Sequence, residues 1–366
     1  MNGPRRRRAL GAAALAGVAW WALRRAREAD LAGQLVLITG GSRGLGLLLA
    51  REFAGLGCRL AICARDAVEL ERARAELAAA GAEVLAVPCD VSDAAQVEAM
   101  VREVERRCGG VDVLVNNAGI IQVGPLQTMD VDDFRRAMAV NFFGAVHATL
   151  AALPGMRARG AGRIVNVCSI GGKVAIPHLL PYDAAKFALT GFSQGLRAEL
   201  AGTGITVTTI IPGLMRTGSP VNAFFKGQAE KEFAWFSLGS ATPLSAMHAG
   251  RAARRIVQAA RRGEAEVTLT WQAKALRIAH DLFPGAMSDV LGGVARLLPG
   301  PGAGGGTERV RGMELATPVS PSPVTGLMNR AARRNNEFGG VPQPSPEHAR
   351  RVGLDPPDDT EPMSGG

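Results

Sequence analysis

QLVLITGGSRGLG, at residues 34–46, joins a short apolar strand to a glycine-dense turn and the start of a helix. Its first part is rich in Val, Leu and Ile, and apolar residues recur at helical spacing over 45–56. A strand, a glycine-rich turn and a helix in that order place backbone N–H groups and a helix N-terminus where a pyrophosphate can bind. The spacing Gly40-x-x-x-Gly44-x-Gly46 differs from the GxGxxG of the commonest dinucleotide-binding fingerprint. Taken alone, this stretch also fits a purely structural turn.

Strand and helix patterns alternate along the body of the chain. Strands are predicted at 34–39, 58–63, 83–88, 111–115, 163–168, 205–211 and 264–269, and helices at 45–56, 66–80, 93–107, 131–156 and 181–202. Strands rich in Val, Ile and Leu that alternate with helices of a dozen residues or more indicate a parallel sheet. We therefore predict an α/β fold over 32–270, a single doubly wound domain with a seven-stranded parallel sheet and helices on both faces. Ligands of such sheets bind at the carboxyl ends of the strands.

The composition changes sharply after this body. At 366 residues with 47% hydrophobic residues, the chain has ample material for a sizeable core. Eleven of the 21 prolines lie after residue 298, together with the run GPGAGGG. We expect a boundary near residue 299 and a mostly disordered tail over 300–366 that contains a short helix around 324–334.

The net charge of +9 is concentrated at the N-terminus, where residues 1–30 hold seven arginines against two acidic residues. No basic stripe interleaved with aromatic residues follows, so we expect no nucleic-acid partner. The five cysteines lack CxxC spacing and are interpreted as reduced, buried residues of a cytosolic domain. The five histidines show no ligand spacing, so no metal site is predicted.

An apolar leader occupies residues 1–31. Its uncharged run at 9–23 has arginines on both sides and ends with Trp20 and Trp21. As a helix it would be roughly 22 Å long, shorter than a ~30 Å hydrocarbon core. We predict a membrane-associated helix that holds the domain at the cytoplasmic face of a membrane. The alternatives are a cleaved secretory signal, a twin-arginine signal, a helix packed on its own domain and a purely cytoplasmic protein.

Two later segments carry apolar residues that the sheet does not require. The segment 214–245 is rich in aromatic residues and fits either an apolar lid over a lipophilic substrate or a helix packed on the core. The segment 271–299 predicts two amphipathic helices, which suit a core contact, a subunit contact or membrane docking. The aromatic residues of the first segment are Phe224, Phe225, Phe233, Trp235 and Phe236.

The polar residues predicted at the strand ends form a series of short motifs. They are Thr39-Gly40-x-x-x-Gly44-x-Gly46, Asp90-Val91, Asn116-Asn117-Ala118-Gly119, Asn141, Ser169, Tyr182-x-x-x-Lys186 and Pro212-Gly213. In this order and at these intervals, over 34–270, the chain resembles the short-chain dehydrogenase/reductase family. The resemblance implies a Rossmann-type domain and an enzyme that transfers hydride between a nicotinamide cofactor and a carbonyl or alcohol.

Tyr182 and Lys186 lie four residues apart on a predicted helix, so their side chains share one face. A free tyrosine, with a pKa of about 10, is a poor base near neutrality, and a nearby ammonium lowers that pKa. The resemblance implies that Tyr182 exchanges the proton and that Lys186 also holds the nicotinamide ribose. It further implies that Ser169 binds the substrate oxygen and that Asn141 holds a water of a proton relay. The structural alternatives are a strand-end hydroxyl for Ser169 and an asparagine that satisfies backbone groups for Asn141.

The cofactor contacts are implied by the same resemblance. The catalytic pair contributes to them, Asp90 and Val91 contact the adenine side, and Thr217 is a candidate carboxamide or phosphate contact. The complete predicted set is Gly40, Ser42, Arg43, Gly44, Leu45, Gly46, Arg65, Asp90, Val91, Asn117, Ala118, Gly119, Tyr182, Lys186, Pro212, Gly213 and Thr217.

The choice between NAD and NADP is argued from charge. NAD-preferring enzymes place an acidic residue at the end of the second strand, where it binds the ribose 2′-hydroxyl. Here that position falls near Ala64, Arg65 follows it, and Arg43 precedes the second glycine of the motif. Two guanidinium groups suit a 2′-phosphate, and Asp66 is explained as a helix cap. We therefore predict NADP(H) as the cofactor.

The sequence predicts an NADP(H)-dependent oxidoreductase that interconverts a ketone or aldehyde and an alcohol on a lipophilic substrate. One alternative is a non-catalytic NADP(H)-binding sensor or scaffold at a membrane. Another is a different reaction on this fold, such as epimerisation or dehydration. The resemblance also implies a homodimer or homotetramer that pairs through the two long helices.

Overall fold

The computed structural model describes residues 28–241, 246–302, 306–315 and 326–337. Its strands are β1 Leu35–Thr39, β2 Arg59–Ala64, β3 Val84–Pro88, β4 Val113–Asn116, β5 Gln122–Val123, β6 Gly162–Val167, β7 Ile205–Ile211, β8 Met215–Arg216, β9 Phe224–Phe225, β10 Met247–His248, β11 Glu266–Thr268 and β12 Val310–Arg311. Its helices are α1 Gly44–Ala54, α2 Ala67–Ala79, α3 Ala94–Cys108, α4 Val131–Met138, α5 Gly144–Arg159, α6 Leu180–Glu199, α7 Ser219–Asn222, α8 Ala229–Ala241, α9 Ala249–Arg262, α10 Trp271–Leu282, α11 Pro284–Ala295 and α12 Gly326–Arg334.

Seven parallel strands form the central sheet in the order β11-β7-β6-β4-β1-β2-β3. The order reverses direction at β1, which pairs with β2 on one side and with β4 on the other. This confirms the predicted doubly wound, Rossmann-type α/β fold. The reversal opens a crevice at the carboxyl ends of the strands, where ligands of such sheets bind.

The core has one layer on each face of the sheet because successive strand side chains point to opposite faces. Val36 and Ile38 of β1 contribute to the cluster formed with α1, α2 and α9. Leu35 and Leu37 contribute to the cluster formed with α3, α5 and α6. All four side chains are fully buried, which explains the continuous apolar run of this strand.

The helix predicted at 131–156 is interrupted. A π-helical turn at Ala139–Phe143 separates α4 from α5. Together they form Val131–Arg159, the one described stretch with the length and apolar composition of a membrane span. Length and composition alone are weak evidence, since 44% of its most apolar window is buried in the domain.

Two small sheets lie above the crevice. β8 pairs with β10, and β9 lies between β5 and β12. The strand β12 and the helix α12 belong to the region predicted as a mostly disordered tail, yet residues 306–315 and 326–337 pack on the domain. The predicted helix at 324–334 corresponds to α12. The disorder predicted for 303–305, 316–325 and 338–366 lies outside the described residues.

The two predicted amphipathic helices are α10 and α11. Within them only Ala273 is buried, so a role in the core is excluded for α11. Trp271 and Phe283 are exposed by 69% and 63%. A subunit contact and membrane docking therefore remain as predictions for this pair, whereas the leader run at 9–23 lies outside the described residues.

Candidate active site

One cleft at the carboxyl ends of the strands, with a volume of about 880 Å3, contains nearly all predicted site residues. Thr217 is the exception, because its side chain is buried beside Ser219 and does not line the cleft. Ser219 does line it. The predicted residues that line the cleft are Gly40, Ser42, Arg43, Gly44, Leu45, Gly46, Arg65, Asp90, Val91, Asn117, Ala118, Gly119, Asn141, Ser169, Tyr182, Lys186, Pro212 and Gly213.

The glycine turn between β1 and α1 needs glycine for two different reasons. Gly40 and Gly44 have positive φ angles of +65° and +55°, a backbone region that other residues rarely adopt. At Gly46 a Cβ atom would lie 1.9 Å from the Gly40 carbonyl oxygen. The turn is therefore closed tightly, and at its glycines it presents bare backbone to the cleft.

Asn117 and Thr39 hold this turn against the end of β4. The Asn117 side-chain amide donates to the carbonyl oxygens of Thr39 and Gly40, each at 3.1 Å. The Thr39 hydroxyl oxygen accepts from the backbone N–H groups of Asn117 and Ala118. Asn117 and Ala118, both predicted cofactor contacts, thus also shape the turn itself.

A nicotinamide dinucleotide fits the groups that this end of the cleft presents. The first turn of α1 contains no acidic residue, and its N-cap residue Arg43 makes no side-chain capping bond. Helix N-termini of this kind bind anions such as a pyrophosphate. The glycines leave the close approach that a backbone–phosphate contact requires.

The two arginines predicted to select a 2′-phosphate differ in their surroundings. Arg43 donates from Nη1 to Glu69 Oε2 at 2.9 Å, and Glu69 also accepts from the Ser42 hydroxyl. Arg65 has a 53% exposed side chain and lies 3.9 Å from an Asp90 oxygen. Arg65 is therefore the freer of the two guanidinium groups.

Asp66 caps α2, as predicted, by accepting from the Glu69 N–H at 2.9 Å. The Glu69 side chain does not complete a capping box, because it is turned to Ser42 and Arg43. This buried acidic residue at the edge of the cofactor end was not predicted as a site residue. Glu69 lies three residues after Asp66, which is the spacing of a capping box, and this pattern already explained the residue as a local structural one.

Tyr182 and Lys186 lie on the first turns of α6 and both line the cleft. The Lys186 Nζ atom is 5.7 Å from the centroid of the Tyr182 ring. It donates to the Val167 carbonyl oxygen at 3.0 Å, which joins α6 to the end of β6. Burial lowers the pKa of Lys186 to about 8.

The expected lowering of the Tyr182 pKa is not met in this geometry. Burial raises the pKa of Tyr182, and a hydrogen bond with the Ser169 side chain offsets only part of that rise. The Lys186 ammonium is turned to the Val167 carbonyl and not to the phenol oxygen. Burial has the largest effect on this pKa because the neighbouring groups do not compensate for the hydration that the charged phenolate loses.

Ser169 lies two residues after the end of β6 and begins a short 3-10 turn over Ile170–Gly172. Its hydroxyl oxygen accepts from the Gly171 N–H at 3.0 Å and is within hydrogen-bonding reach of the Tyr182 phenol. The extended backbone of Ser169 directs the side chain into the cleft. The structure thus places Ser169 beside Tyr182, as the resemblance implies.

Asn141 lies in the π-helical turn and is almost fully buried. Its amide bonds both backbone groups of Ile120, donating to the carbonyl oxygen at 3.0 Å and accepting from the N–H at 3.1 Å. This is the structural alternative foreseen for Asn141. The residue also borders Lys186, since a Cβ on Gly119 would lie 2.6 Å from Asn141 Oδ1 and 3.7 Å from Lys186 Nζ. π-turns occur often at functional sites.

Asp183, next to the tyrosine, lines the cleft and was not predicted as a site residue. Its Oδ2 atom accepts from the Ile176 N–H at 2.6 Å, whereas its buried Oδ1 atom has no partner among the described residues. Burial raises the pKa of Asp183 to about 8, and the Ile176 hydrogen bond opposes that rise. The carboxyl group is therefore mostly protonated at neutral pH.

Some side chains of the aromatic segment line the cleft, and others pack in a core. Phe224, Trp235 and Phe236 line the cleft, while Phe225 and Phe233 pack beneath in a separate small core. The part of the predicted lid at 242–245 lies outside the described residues.

A buried carboxylate fixes this aromatic segment to the loop before α6. Glu232 of α8 bonds His178 Nδ1 at 2.8 Å and accepts from Trp235 Nε1 at 2.7 Å. His178 has a positive φ of 68°, so its backbone is strained. No local pattern in the sequence signals this pairing over 54 residues.

Glu337 also lines the cleft, at its glycine turn, although it belongs to the region predicted as a tail. The composition of that region gave no signal for it. Among the described residues no group of three or more His, Cys, Asp or Glu side chains suits a metal ion.

Comparisons with known proteins agree with this geometry. The family model for short chain dehydrogenases matches residues 34–224. A dehydrogenase/reductase SDR family protein 7-like of Drosophila melanogaster is 35% identical over 66% of this chain and 74% of its own length. A protein of the same description from Anopheles gambiae is 43% identical over 53% of this chain, which spans 62% of that protein.

A solved structure shows the same likeness. The gluconate 5-dehydrogenase of Burkholderia cenocepacia J2315, in complex with NADP and tartrate, has a TM-score of 0.60 and 30% identity over 67% of this chain and 97% of that one. The family match covers more than half of the 366 residues. The chain belongs to the short-chain dehydrogenase/reductase family of oxidoreductases.

Proposed function

We propose that this protein is an NADP(H)-dependent oxidoreductase that interconverts a ketone or aldehyde and an alcohol on a lipophilic substrate. The observation that carries the proposal is a single cleft that holds Ser169, Tyr182, Lys186 and Asn141 together with the glycine turn. A protein that only binds a dinucleotide has no need of this polar set. Proton transfer to or from a substrate oxygen does need it.

Tyr182 is the proposed general acid of the reductive direction. It donates its phenolic proton to the substrate oxygen while Ser169 donates a hydrogen bond to the same oxygen. The raised pKa of Tyr182 keeps the phenol protonated at neutral pH, which is the form that reduction requires. When NADPH is bound it supplies the hydride. Oxidation requires the phenolate, which burial disfavours.

Lys186 and Asn141 have supporting roles in this proposal. The Lys186 ammonium, anchored on Val167, keeps two further N–H donors for a ribose of the cofactor and for a water. Asn141 borders the same glycine as Lys186. We assign to this pair a relay that returns a proton from solvent to Tyr182 after each turnover.

The preference for NADP(H) rests mainly on Arg65. It follows β2 directly, lines the cleft and is half exposed, so its guanidinium is available to a 2′-phosphate. Arg43 adds a second guanidinium, which would contact the 2′-phosphate while it also contacts Glu69. The NADP bound to the gluconate 5-dehydrogenase relative is in keeping with this choice.

A lipophilic substrate is proposed from the apolar lining of the cleft. Phe224, Trp235 and Phe236 join Ile and Leu side chains there. The apolar leader at 9–23 would bring such a cleft to a membrane surface at its cytoplasmic face.

A homodimer or homotetramer is proposed from the exposed apolar residues of the two long helices. Phe143 and Leu150 lie at α5, and Leu180 and Phe187 lie on α6, all at least 41% exposed.

The test is NADPH consumption by the full-length protein, in detergent, over a panel of lipophilic ketones and aldehydes. Tyr182→Phe is the matched variant, because it removes only the phenol oxygen, and NADH is the cofactor control. Turnover with NADPH that disappears in Tyr182→Phe supports the proposal. Tight NADPH binding without turnover of any carbonyl would favour a sensor or scaffold instead, and better turnover with NADH would refute the cofactor preference.

A further inference from the structure

Residues 335–337, Asn-Asn-Glu, follow α12 and lie against the cofactor end of the cleft; we name them the C-terminal clasp. They are distant in sequence from every other residue of this site, and the family match ends at residue 224. Asn335 and Glu337 are buried, as is Ala332 one turn earlier. The clasp is therefore an integral part of the folded domain.

One side of the clasp is bonded to the glycine turn and to α2. The Asn335 carbonyl oxygen accepts from the Gly44 N–H at 2.8 Å. The Asn336 side-chain amide donates to the carbonyl oxygens of Ser42 and Glu69, at 2.9 and 3.0 Å. Both Ser42 and Gly44 belong to the turn predicted to hold the pyrophosphate.

The other side of the clasp is bonded to the segment that follows β7. Glu337 Oε2 accepts from the Gly218 N–H at 2.5 Å, and its backbone carbonyl oxygen accepts from Asn222 Nδ2 at 3.0 Å. Gly218 directly follows Thr217. The clasp thus bridges the glycine turn, which is predicted to hold the pyrophosphate, and the segment of Thr217, a candidate carboxamide or phosphate contact.

The backbone of the clasp is shaped for this position. Asn336 has a φ of +57°, in the left-handed region that asparagine tolerates better than most residues. Arg51 of α1 fixes the entry to the clasp, donating to Asn335 Oδ1 at 3.0 Å and to the Arg334 carbonyl oxygen at 2.8 Å. Because the clasp is bonded on both sides, it cannot detach from either side without breaking several hydrogen bonds at once.

The charge of the clasp also suits an anionic neighbour. Burial raises the pKa of Glu337 to about 8, with the Gly218 hydrogen bond and Arg43 opposing the rise and Glu69 adding to it. Glu337 is therefore mostly protonated at neutral pH and does not repel a phosphate strongly. This agrees with a position beside the cofactor.

We propose that the C-terminal clasp forms the outer wall of the cofactor site and retains the bound dinucleotide. The clasp must detach from the glycine turn or from Gly218 before the cofactor leaves, so it slows exchange. This inference rests on the proposed function only in so far as the protein binds NADP(H). It assigns a cofactor-retention role to Asn336 and Glu337.

The experiment measures the dissociation rate of NADPH from the full-length protein by nicotinamide fluorescence in stopped flow, with excess NADP+ as the trap. Asn336→Gly keeps the left-handed backbone accessible and removes both amide bonds, and Glu337→Ala removes the bond to Gly218. Arg333→Ala, an exposed residue of α12, is the matched control. We expect both clasp variants to release NADPH at least fivefold faster, and the control to release it at the parent rate.

Hydrogen exchange in the unsubstituted protein gives a second readout that needs no variant. NADPH binding should slow amide exchange at residues 335–337 at least threefold. Release rates that change less than fivefold in both variants overturn the inference, as does exchange that NADPH leaves unchanged. If the parent binds neither NADPH nor NADH, the proposed function fails and the retention role fails with it, whereas normal binding with unaltered release refutes the retention role alone.

Discussion

The Lys186 ammonium donates a hydrogen bond to the Val167 carbonyl oxygen at 3.0 Å, and this bond fixes the catalytic helix on the carboxyl end of β6. The same ammonium lies 5.7 Å from the centroid of the Tyr182 ring. Burial lowers the pKa of the lysine to about 8 and raises the pKa of the tyrosine. At neutral pH both groups therefore carry their protons, the lysine by a narrow margin.

Because the pKa of Lys186 lies only slightly above neutral pH, we predict an upper pH limit for reduction. Lys186 is an ammonium below pH 8 and a neutral amine above it, so kcat/KM should fall about tenfold for each pH unit above 8. The measurement is the pH–rate profile of carbonyl reduction with NADPH.

Asp183 has a pKa of about 8 as well, so a control must separate the two groups. Lys186→Arg keeps a positive charge through this range and should shift the fall to higher pH, at a lower maximal rate. Asp183→Asn should leave the fall in place. A fall that disappears in Asp183→Asn would assign it to the carboxyl group instead.

Tyr182 is the only tyrosine of the sequence, so its ionisation can be observed directly. In protein that carries 13C-labelled tyrosine, the single Cζ signal should titrate above the value of about 10 typical of free tyrosine, because burial raises the pKa. Ser169→Ala should raise that pKa further, since the Ser169 hydrogen bond lowers it. A signal that titrates below 10 in the cofactor-free protein would contradict the dominance of burial.

The sequence predicted the central sheet because its signals are local. Apolar runs such as Val36–Ile38 and the turn glycines at positions 40, 44 and 46 determine structure only within a few residues of themselves. The proximity of Ser169, Tyr182 and Lys186 was predictable because their spacing reflects a helix face and a neighbouring strand end. Tyr182 and Lys186 lie four residues apart on α6, and Ser169 follows, by two residues, the strand end that Lys186 contacts.

The remaining site residues depend on contacts that no local pattern encodes. Glu337 and Gly218 are 119 residues apart, and Glu232 and His178 are 54 apart. The pKa of Tyr182 depends on how deeply the folded chain buries it, which the spacing to Lys186 does not determine. Thr217 was placed in the cofactor set by the resemblance, whereas in the structure its hydroxyl lies 2.6 Å from the Ser219 hydroxyl.

Asp183 should make folding stability depend on pH. Its folded pKa of about 8 lies above the unfolded value of about 4, so its contribution to stability is present at low pH and is lost as the pH rises through 8. Asp183→Asn keeps an acceptor for the Ile176 N–H and removes the ionisation. We expect the free energy of unfolding of the variant, relative to the parent, to improve by about 3–4 kcal/mol between pH 5 and 8. The measurement is urea unfolding at both pH values; an unchanged difference would show that Asp183 is ionised at neutral pH.

The different surroundings of the two cleft arginines predict different effects on cofactor choice. Arg65→Ala should raise the Kd for NADPH roughly fivefold to tenfold, because a partly exposed charged hydrogen bond contributes about 1 kcal/mol. Its Kd for NADH should stay unchanged. Arg43→Ala should have a smaller effect, since Arg43 already pairs with Glu69.

Arg72→Ala, at an exposed position of α2, is the control for charge alone. Titration of the intrinsic tryptophan fluorescence with NADPH and with NADH gives a dissociation constant for each nucleotide with the parent and with each variant. If Arg65→Ala weakens NADH and NADPH equally, Arg65 contributes to binding but not to selection of the 2′-phosphate.

Glu232 joins the aromatic segment of α8 to the loop that precedes Tyr182, and its removal should loosen both. Glu232→Ala leaves the Trp235 Nε1–H and the His178 ring without their buried acceptor, which costs about 2–3 kcal/mol in the free energy of unfolding. The KM for a lipophilic ketone should rise as well, because Trp235 lines the cleft. Glu230→Ala removes an exposed carboxylate from the same helix and should change neither quantity. Urea unfolding and steady-state kinetics of the two variants check this; a stable Glu232→Ala protein with an unchanged KM would mean that the aromatic segment is held by its apolar contacts alone.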